Sequence, residues 1–127
     1  MNDYVHMPLS TKTLPAYLRF MQLAESFDRM NLTSKLDHVE KELLDKLISA
    51  YYNGEFPLMG DLIALKMIAS QATLHSRIKS LIAKGYIDIV ADDEDSRKKH
   101  LVPTRLALTF YANLSDALVK ATLTPIA

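Results

Sequence analysis

A helical repeat that stops at Gly85 and passes at once into a β-branched run constrains this chain more than any other feature. Leu74, Ile78 and Leu81 recur at the spacing of one helix face. Ser70 stands before them as an N-cap and Gly85 after them as a left-handed stop. Residues 86–90 read as a strand, with Ile87 and Ile89 on one side. Asp92-Asp93-Glu94-Asp95 makes a polar turn, and residues 98–102 can return as a second strand. The sequence therefore predicts a helix that feeds directly into a hairpin, or wing. Just upstream, residues 60–66 carry Asp61 in a first helical turn and Leu62 and Leu65 inward, and Met67-Ile68-Ala69 turns the chain into Ser70. The short helix, the turn and the following helix make a helix-turn-helix.

The flanks are helical. Asp37 with Glu40 three residues on is a capping-box pattern, followed by Leu43, Leu44, Leu47, Ile48 and Tyr51 on one stripe and by Asn53-Gly54 as a stop. A helix over residues 37–51 follows from it, and Phe56-Pro57-Leu58 is a strand fragment. Residues 8–15 read as irregular. Leu14, Leu18, Met21 and Ala24 then form one helical row through about Met30, and Phe20, Leu23, Phe27 and Met30 a second. At the other end Thr104 caps a helix with Ala107, Tyr111, Leu114, Leu118 and Ala121 on one stripe, and Leu108 and Phe110 beside or opposite it. Each terminal helix carries more apolar surface than one core needs, which implies a second contact.

Composition narrows the classes. With 127 residues, 49% of them apolar, the chain reads as one domain, able to bury an independent core. Cysteine is absent, which excludes disulfide frameworks, thiolate metal sites and cysteine nucleophiles. No apolar run reaches the length of a membrane span and the start lacks a signal pattern, so the expected compartment is the cytoplasm, with no membrane partner. A mean hydropathy of +0.01 suits a chain that buries apolar surface against a partner. The fifteen basic and fifteen acidic residues cancel. They are unevenly placed, however, with eight basic and five acidic residues between positions 66 and 105.

Residues 36–104, and less distinctly both ends, resemble the multiple antibiotic resistance regulator (MarR) family of winged-helix transcription factors. Ser70-Gln71-Ala72-Thr73-Leu74, followed by Leu81-Ile82-Ala83-Lys84-Gly85-Tyr86-Ile87, is similar to that family's recognition helix and its exit into the wing. Asp95-Ser96-Arg97, with Leu101 and Thr104 downstream, resembles its wing signature. Pro103 stands where the family has Leu, and Ala107 where many members have Gly. The resemblance implies a mainly α fold with a small β-hairpin wing: an arm and dimerisation helix over residues 1–35, a winged helix-turn-helix over 36–103, and a second dimerisation helix over 104–127. It also implies a homodimer on a pseudo-palindromic operator in double-stranded DNA, in some members governed by a small-molecule effector bound between the dimer helices and the winged helix. Here such an effector would meet residues such as Tyr17, Phe20, Met21, Tyr51 or Tyr111, each of which reads first as a core residue.

A helix with short polar side chains in its first turn can enter a major groove about 12 Å wide and bond base edges. Gln71, Thr73, His75, Ser76 and Lys79 lie off the apolar stripe and are the candidate DNA-binding residues. Gln71 suits adenine, Thr73 a phosphate or thymine methyl, and Lys79 a phosphate. The same residues would also serve as the solvated face of an amphipathic helix. On the wing, the resemblance assigns Arg97 to a minor groove or phosphate with Asp95 bracing it, and Lys98 and Lys99 add charge. Asp92, Asp93 and Glu94 would repel phosphates, so the tip is expected to stay off DNA. The acidic loop lacks the Gly and Glu of a calcium loop. His6, His38, His75 and His100 have no metal-ligand spacing, and no catalytic motif is found; no metal, cofactor or enzymatic activity is expected. A winged helix turned into a protein-interaction module remains the alternative, and an enzyme with an unrecognised site the weakest one.

Overall fold

The computed structural model describes residues 14–30 and 35–123. Along the chain run α1 (Leu14–Met30), α2 (His38–Tyr52), α3 (Met59–Ile63), α4 (Gln71–Ala83), β1 (Ile87–Ala91), β2 (Lys99–Pro103) and α5 (Arg105–Leu123). Residues 33–111 form one compact unit, and α1 with α5 from Ala112 onward forms another. Of the expected irregular stretch over residues 8–15, residues 8–13 lie outside the described residues, while residues 14 and 15 already belong to α1; His6 and the side chains of Leu14, Phe27 and Met30 also lie outside them.

The first unit is built around leucines spaced for it. Leu43, Leu44 and Leu47 of α2, Leu62 of α3, and Leu74, Ile78 and Leu81 of α4 join Tyr86, Ile87, Leu101 and Ala107 in one buried cluster. Each such Leu or Ile stabilises the fold by on the order of 1.5–3 kcal/mol through area removed from water. α2 starts where its capping box dictates: the Glu40 N–H donates to Asp37 Oδ1 at 2.8 Å, and the Asp37 N–H donates to Glu40 Oε1 at 2.9 Å. Beyond its end Gly54 takes a positive φ of 77°. α3 ends at Ile63, three residues short of the sequence reading. From there the chain tightens into successive turns, Leu65 N–H to the Leu62 oxygen and Ile68 N–H to the Leu65 oxygen, which bring both side chains against the core.

Gly85, at φ 84°, turns the end of α4 into β1. Antiparallel register pairs Ile87 with Pro103, Ile89 with Leu101 and Ala91 with Lys99 on one face, and Asp88 with Val102 and Val90 with His100 on the other. The fragment before α3 adds to the free edge of β2: the Leu101 N–H donates to the Pro57 oxygen at 2.8 Å, and Leu58 bridges to His100. Ile89 shares the face of Ile87 as expected but is 48% exposed, because burial ends one residue into β1 and the hairpin then stands clear of the core. Pro103, the departure from the family pattern, closes β2 and is buried. Thr104 then locks the junction, donating through its hydroxyl to the Gly85 oxygen at 2.6 Å and accepting the Ala107 N–H at 3.2 Å.

The second unit keeps an apolar surface uncovered. Ala117 and Ala121 of α5 are buried, whereas Leu118, Val119 and Leu123 are exposed. On α1, Tyr17, Leu18 and Met21 are exposed while Phe20, Leu23 and Ala24 are half-buried. Leu118, a member of the expected α5 stripe, is half exposed. Phe110, expected beside or opposite the stripe, is buried edge-on to Tyr86 at 6.4 Å between ring centroids. Among the described residues no helix is long and apolar enough to cross a membrane.

Candidate nucleic-acid interface

α4 divides its polar residues between two jobs. Its back half is tied to the start of α2. Arg77 Nε donates to Asp37 Oδ2 at 2.5 Å, the Ser80 hydroxyl donates to Glu40 Oε2 at 2.7 Å, and Lys84 Nζ reaches both Glu40 oxygens at 2.9 and 2.8 Å. Glu40 is only 2% exposed. Burial alone would raise its pKa, but the Asp37 N–H, Lys84 and Ser80 outweigh that and hold it below the ordinary value. Asp37 is also lowered, chiefly by the Glu40 N–H and, against some desolvation, by Arg77.

The other side of α4 is left outward. Gln71, His75 and Lys79 succeed one another at four-residue intervals, Ser76 lies beside them, and all four are exposed. Thr73 is half-buried and engaged in the cap: its N–H donates to Ser70 Oγ at 3.2 Å and its Oγ1 accepts from the Ser70 hydroxyl at 3.0 Å. Thr73 thus keeps its own hydroxyl proton for a further acceptor. Ala72, which the sequence reading passed over, is exposed in the same first turn and presents a methyl group.

The hairpin turn is held by its own carboxylates. Asp92 Oδ2 accepts the N–H groups of Glu94 and Asp95, each at 3.0 Å. Asp95 Oδ1 accepts both the backbone N–H and the Nε of Arg97 at 3.1 Å, and Asp95 Oδ2 faces Arg97 Nη2 at 3.3 Å. The Arg97 side chain is 90% exposed, so a guanidinium oriented along one edge still offers its remaining N–H groups outward. Arg97 correspondingly lowers the Asp95 pKa. Lys98 is exposed, and Lys99 folds its ammonium onto the Ser96 oxygen at 2.8 Å. Asp92 differs from its expected place in a bare acidic tip: its Oδ1 lies 2.7 Å from His100 Nε2, a hydrogen bond that lowers its pKa. Asp93 and Glu94 are the exposed tip carboxylates.

No family model matches the chain, and no curated protein matches it. Solved structures do. S. aureus MepR bound to ethidium bromide is similar with a TM-score of 0.63 at 16% identity, over 88% of this chain and 77% of that one. The S. aureus MepR–DNA complex gives 0.55 at 17% identity, over 86% and 85% of the two chains. A transcriptional regulator of Thermotoga maritima gives 0.56 at 19%, over 87% and 73%. The fold is that of the MarR winged-helix regulators.

In this MarR-type fold α3 and α4 form the helix-turn-helix and β1–β2 the wing. Sequence reasoning placed the exposed row of α4 and the Asp95–Arg97 pair. It missed that Arg77 and Lys84, two of the eight basic residues between positions 66 and 105, are tied to α2. The available signal was the capping box itself, since it fixes two carboxylates at one end of α2. The candidate effector residues fall in different units: Tyr17 and Met21 are exposed on α1, Phe20 is half-buried there, Tyr51 is partly exposed at the end of α2, and the Tyr111 hydroxyl donates to Asp45. Burial and Asp45 push the Tyr111 pKa far up, so this group stays a donor.

Proposed function

We propose that this chain is a sequence-specific, DNA-binding transcriptional regulator that acts as a homodimer on a pseudo-palindromic operator. The observation that carries the reading is the division of α4: its inner cations are tied to α2, while Gln71, His75, Ser76 and Lys79 stay exposed in one row. Entering a major groove, Gln71 reads a base edge, Thr73 and Ser76 bond phosphates or bases, and Lys79 takes a phosphate. Arg97, oriented by Asp95, reaches a minor groove or the backbone, and Lys98 and Lys99 bind further phosphates. S. aureus MepR has been solved in complex with DNA, and the fold likeness favours the same class of partner. That protein has also been solved with ethidium, and a small-molecule effector fits the reading here. The whole chain, residues 1–127, works as one domain in which the segments over 1–35 and 104–127 dimerise and 36–103 binds DNA. It acts in the cytoplasm and is not an enzyme.

A second reading has one specific observation in its favour. Phe56 and Val90, on the His100 face of the hairpin, leave an apolar surface beside the acidic tip, which suits a winged helix that binds protein instead. Titration of a labelled random-sequence duplex at several salt concentrations separates the two. Log affinity that falls with log salt is the expected result; affinity for duplex that is absent at low salt favours the second reading.

A further inference from the structure

We propose that His100 is a proton-operated latch that clamps the wing to the segment entering α3 and thereby sets the DNA-binding posture of Arg97. Three parts of the chain meet at this imidazole. β2 carries it, the hairpin turn brings Asp92, and the segment before α3 brings the Phe56 carbonyl. Nδ1 lies 2.6 Å from the Phe56 oxygen and Nε2 lies 2.7 Å from Asp92 Oδ1. A carbonyl oxygen only accepts, and so does an ionised carboxylate, so both ring nitrogens must donate. Only the imidazolium carries two N–H groups. A neutral ring would leave one nitrogen lone pair against an acceptor, and the clamp would lose one of its two ends.

From the latch a continuous hydrogen-bonded path leads to the wing cation. Asp92 holds the Asp95 N–H through its second oxygen, and Asp95 in turn holds Arg97. The groups facing the ring act in known directions. Asp92 and the Phe56 carbonyl favour its protonated form and together raise its pKa above the ordinary 6.5, against desolvation and the nearby Lys98. Asp93 lines the cleft of about 340 Å³ beside the ring, with Phe56, Val90 and Val102. Because the folded pKa is raised, the latch is fully made below about 6.5 and is lost as pH rises through the raised value. Because the Asp92 pKa is lowered, the acid limit lies below the ordinary carboxylate range. The latch is therefore closed in between, and it opens as pH rises through the raised His100 value.

The link to DNA rests on the function proposed above, so the experiment has two arms. In the first, full-length protein labelled with ¹⁵N-histidine is titrated by NMR without DNA, and the His100 signals are assigned by their loss in His100→Gln. Both ring nitrogens should stay protonated to a midpoint above that of free histidine, and Asp92→Asn should lower that midpoint. A midpoint at or below the free value overturns the latch. In the second arm, anisotropy on one duplex recovered by site selection is compared for wild type and His100→Gln across about pH 6 to about pH 9. The other histidines are present in both proteins, so they cancel in this comparison. Wild-type affinity should fall by at least about threefold more than that of the variant. Equal pH dependence with a raised midpoint overturns the coupling to DNA. Failure to bind any duplex at any pH overturns the regulator reading and the coupling with it, while the first arm still decides the latch.

Discussion

Lys84, at the end of α4, closes an ion pair with the buried Glu40 of α2, its ammonium 2.8 and 2.9 Å from the two carboxylate oxygens and 3.0 Å from the Lys35 carbonyl. The pair fixes the exit of α4 against the start of α2, just where Gly85 sends the chain into the wing. Glu40→Gln keeps the volume but strands the ammonium and weakens the capping box. It should destabilise by about 1–3 kcal/mol, read as a lower urea midpoint with an unchanged slope. An unchanged midpoint would show that the pair does not help hold the two helices.

The same cluster sets the acid limit of the fold. Asp37 and Glu40 both have lowered pKa values, so their contribution is present above the ordinary carboxylate range and is lost as pH falls through the lowered values. Melting temperature should fall in acid as these two carboxylates are protonated. The Glu40→Gln variant should start lower and fall less steeply; parallel curves would contradict the linkage.

The terminal helices make a dimerisation prediction. Leu18 on α1 and Leu118 on α5 are each about half exposed despite standing in apolar rows. Leu18→Glu and Leu118→Glu should each shift sedimentation from dimer toward monomer at micromolar concentration without lowering the stability of the winged-helix unit. A wild-type monomer under the same conditions would remove the basis of the prediction.

Charge changes at the wing should divide by partner. Neutralising Arg97, Lys98 and Lys99 should weaken binding to all duplexes and flatten the slope of log affinity on log salt by roughly 0.9 for each phosphate that is no longer neutralised. Asp93→Asn with Glu94→Gln should tighten low-salt binding, because both carboxylates are exposed at the tip and only repel the backbone. Asp92→Asn should do the reverse, since Asp92 holds the turn and His100. Identical effects of the tip and Asp92 substitutions would mean that the turn hydrogen bonds do not shape the wing.

What was legible in the sequence was local. Ser70, Gly85, Asp37 with Glu40, and the leucine spacing each act over one helical turn, and each element stands within a few residues of where it was read. The Asp95–Arg97 pair, two residues apart, was implied by the family resemblance and not by spacing. What escaped depends on partners distant in sequence. Arg77 meets Asp37 across forty positions, and His100 meets the Phe56 carbonyl across forty-four. Such partners leave no periodic trace. Ile89 shows the other limit: strand alternation gives its face correctly but not how far the core extends along the hairpin.

The proposed reading has α4 meet DNA through Gln71, Thr73, His75, Ser76 and Lys79, with the first-turn residues Gln71 and Thr73 reading bases and Lys79 on a phosphate. Binding-site selection from a random duplex pool, run with wild type and with the Gln71→Ala, Thr73→Ala double variant, tests it most directly. The account predicts that wild type enriches two inverted half-sites about one helical turn apart. It predicts that the double variant relaxes the preference at defined base pairs, at about 1–3 kcal/mol for each well-formed base-edge interaction removed, while its melting temperature falls only slightly through the loosened cap. Recovery of the same motif by both proteins, or of no motif by wild type, would contradict it.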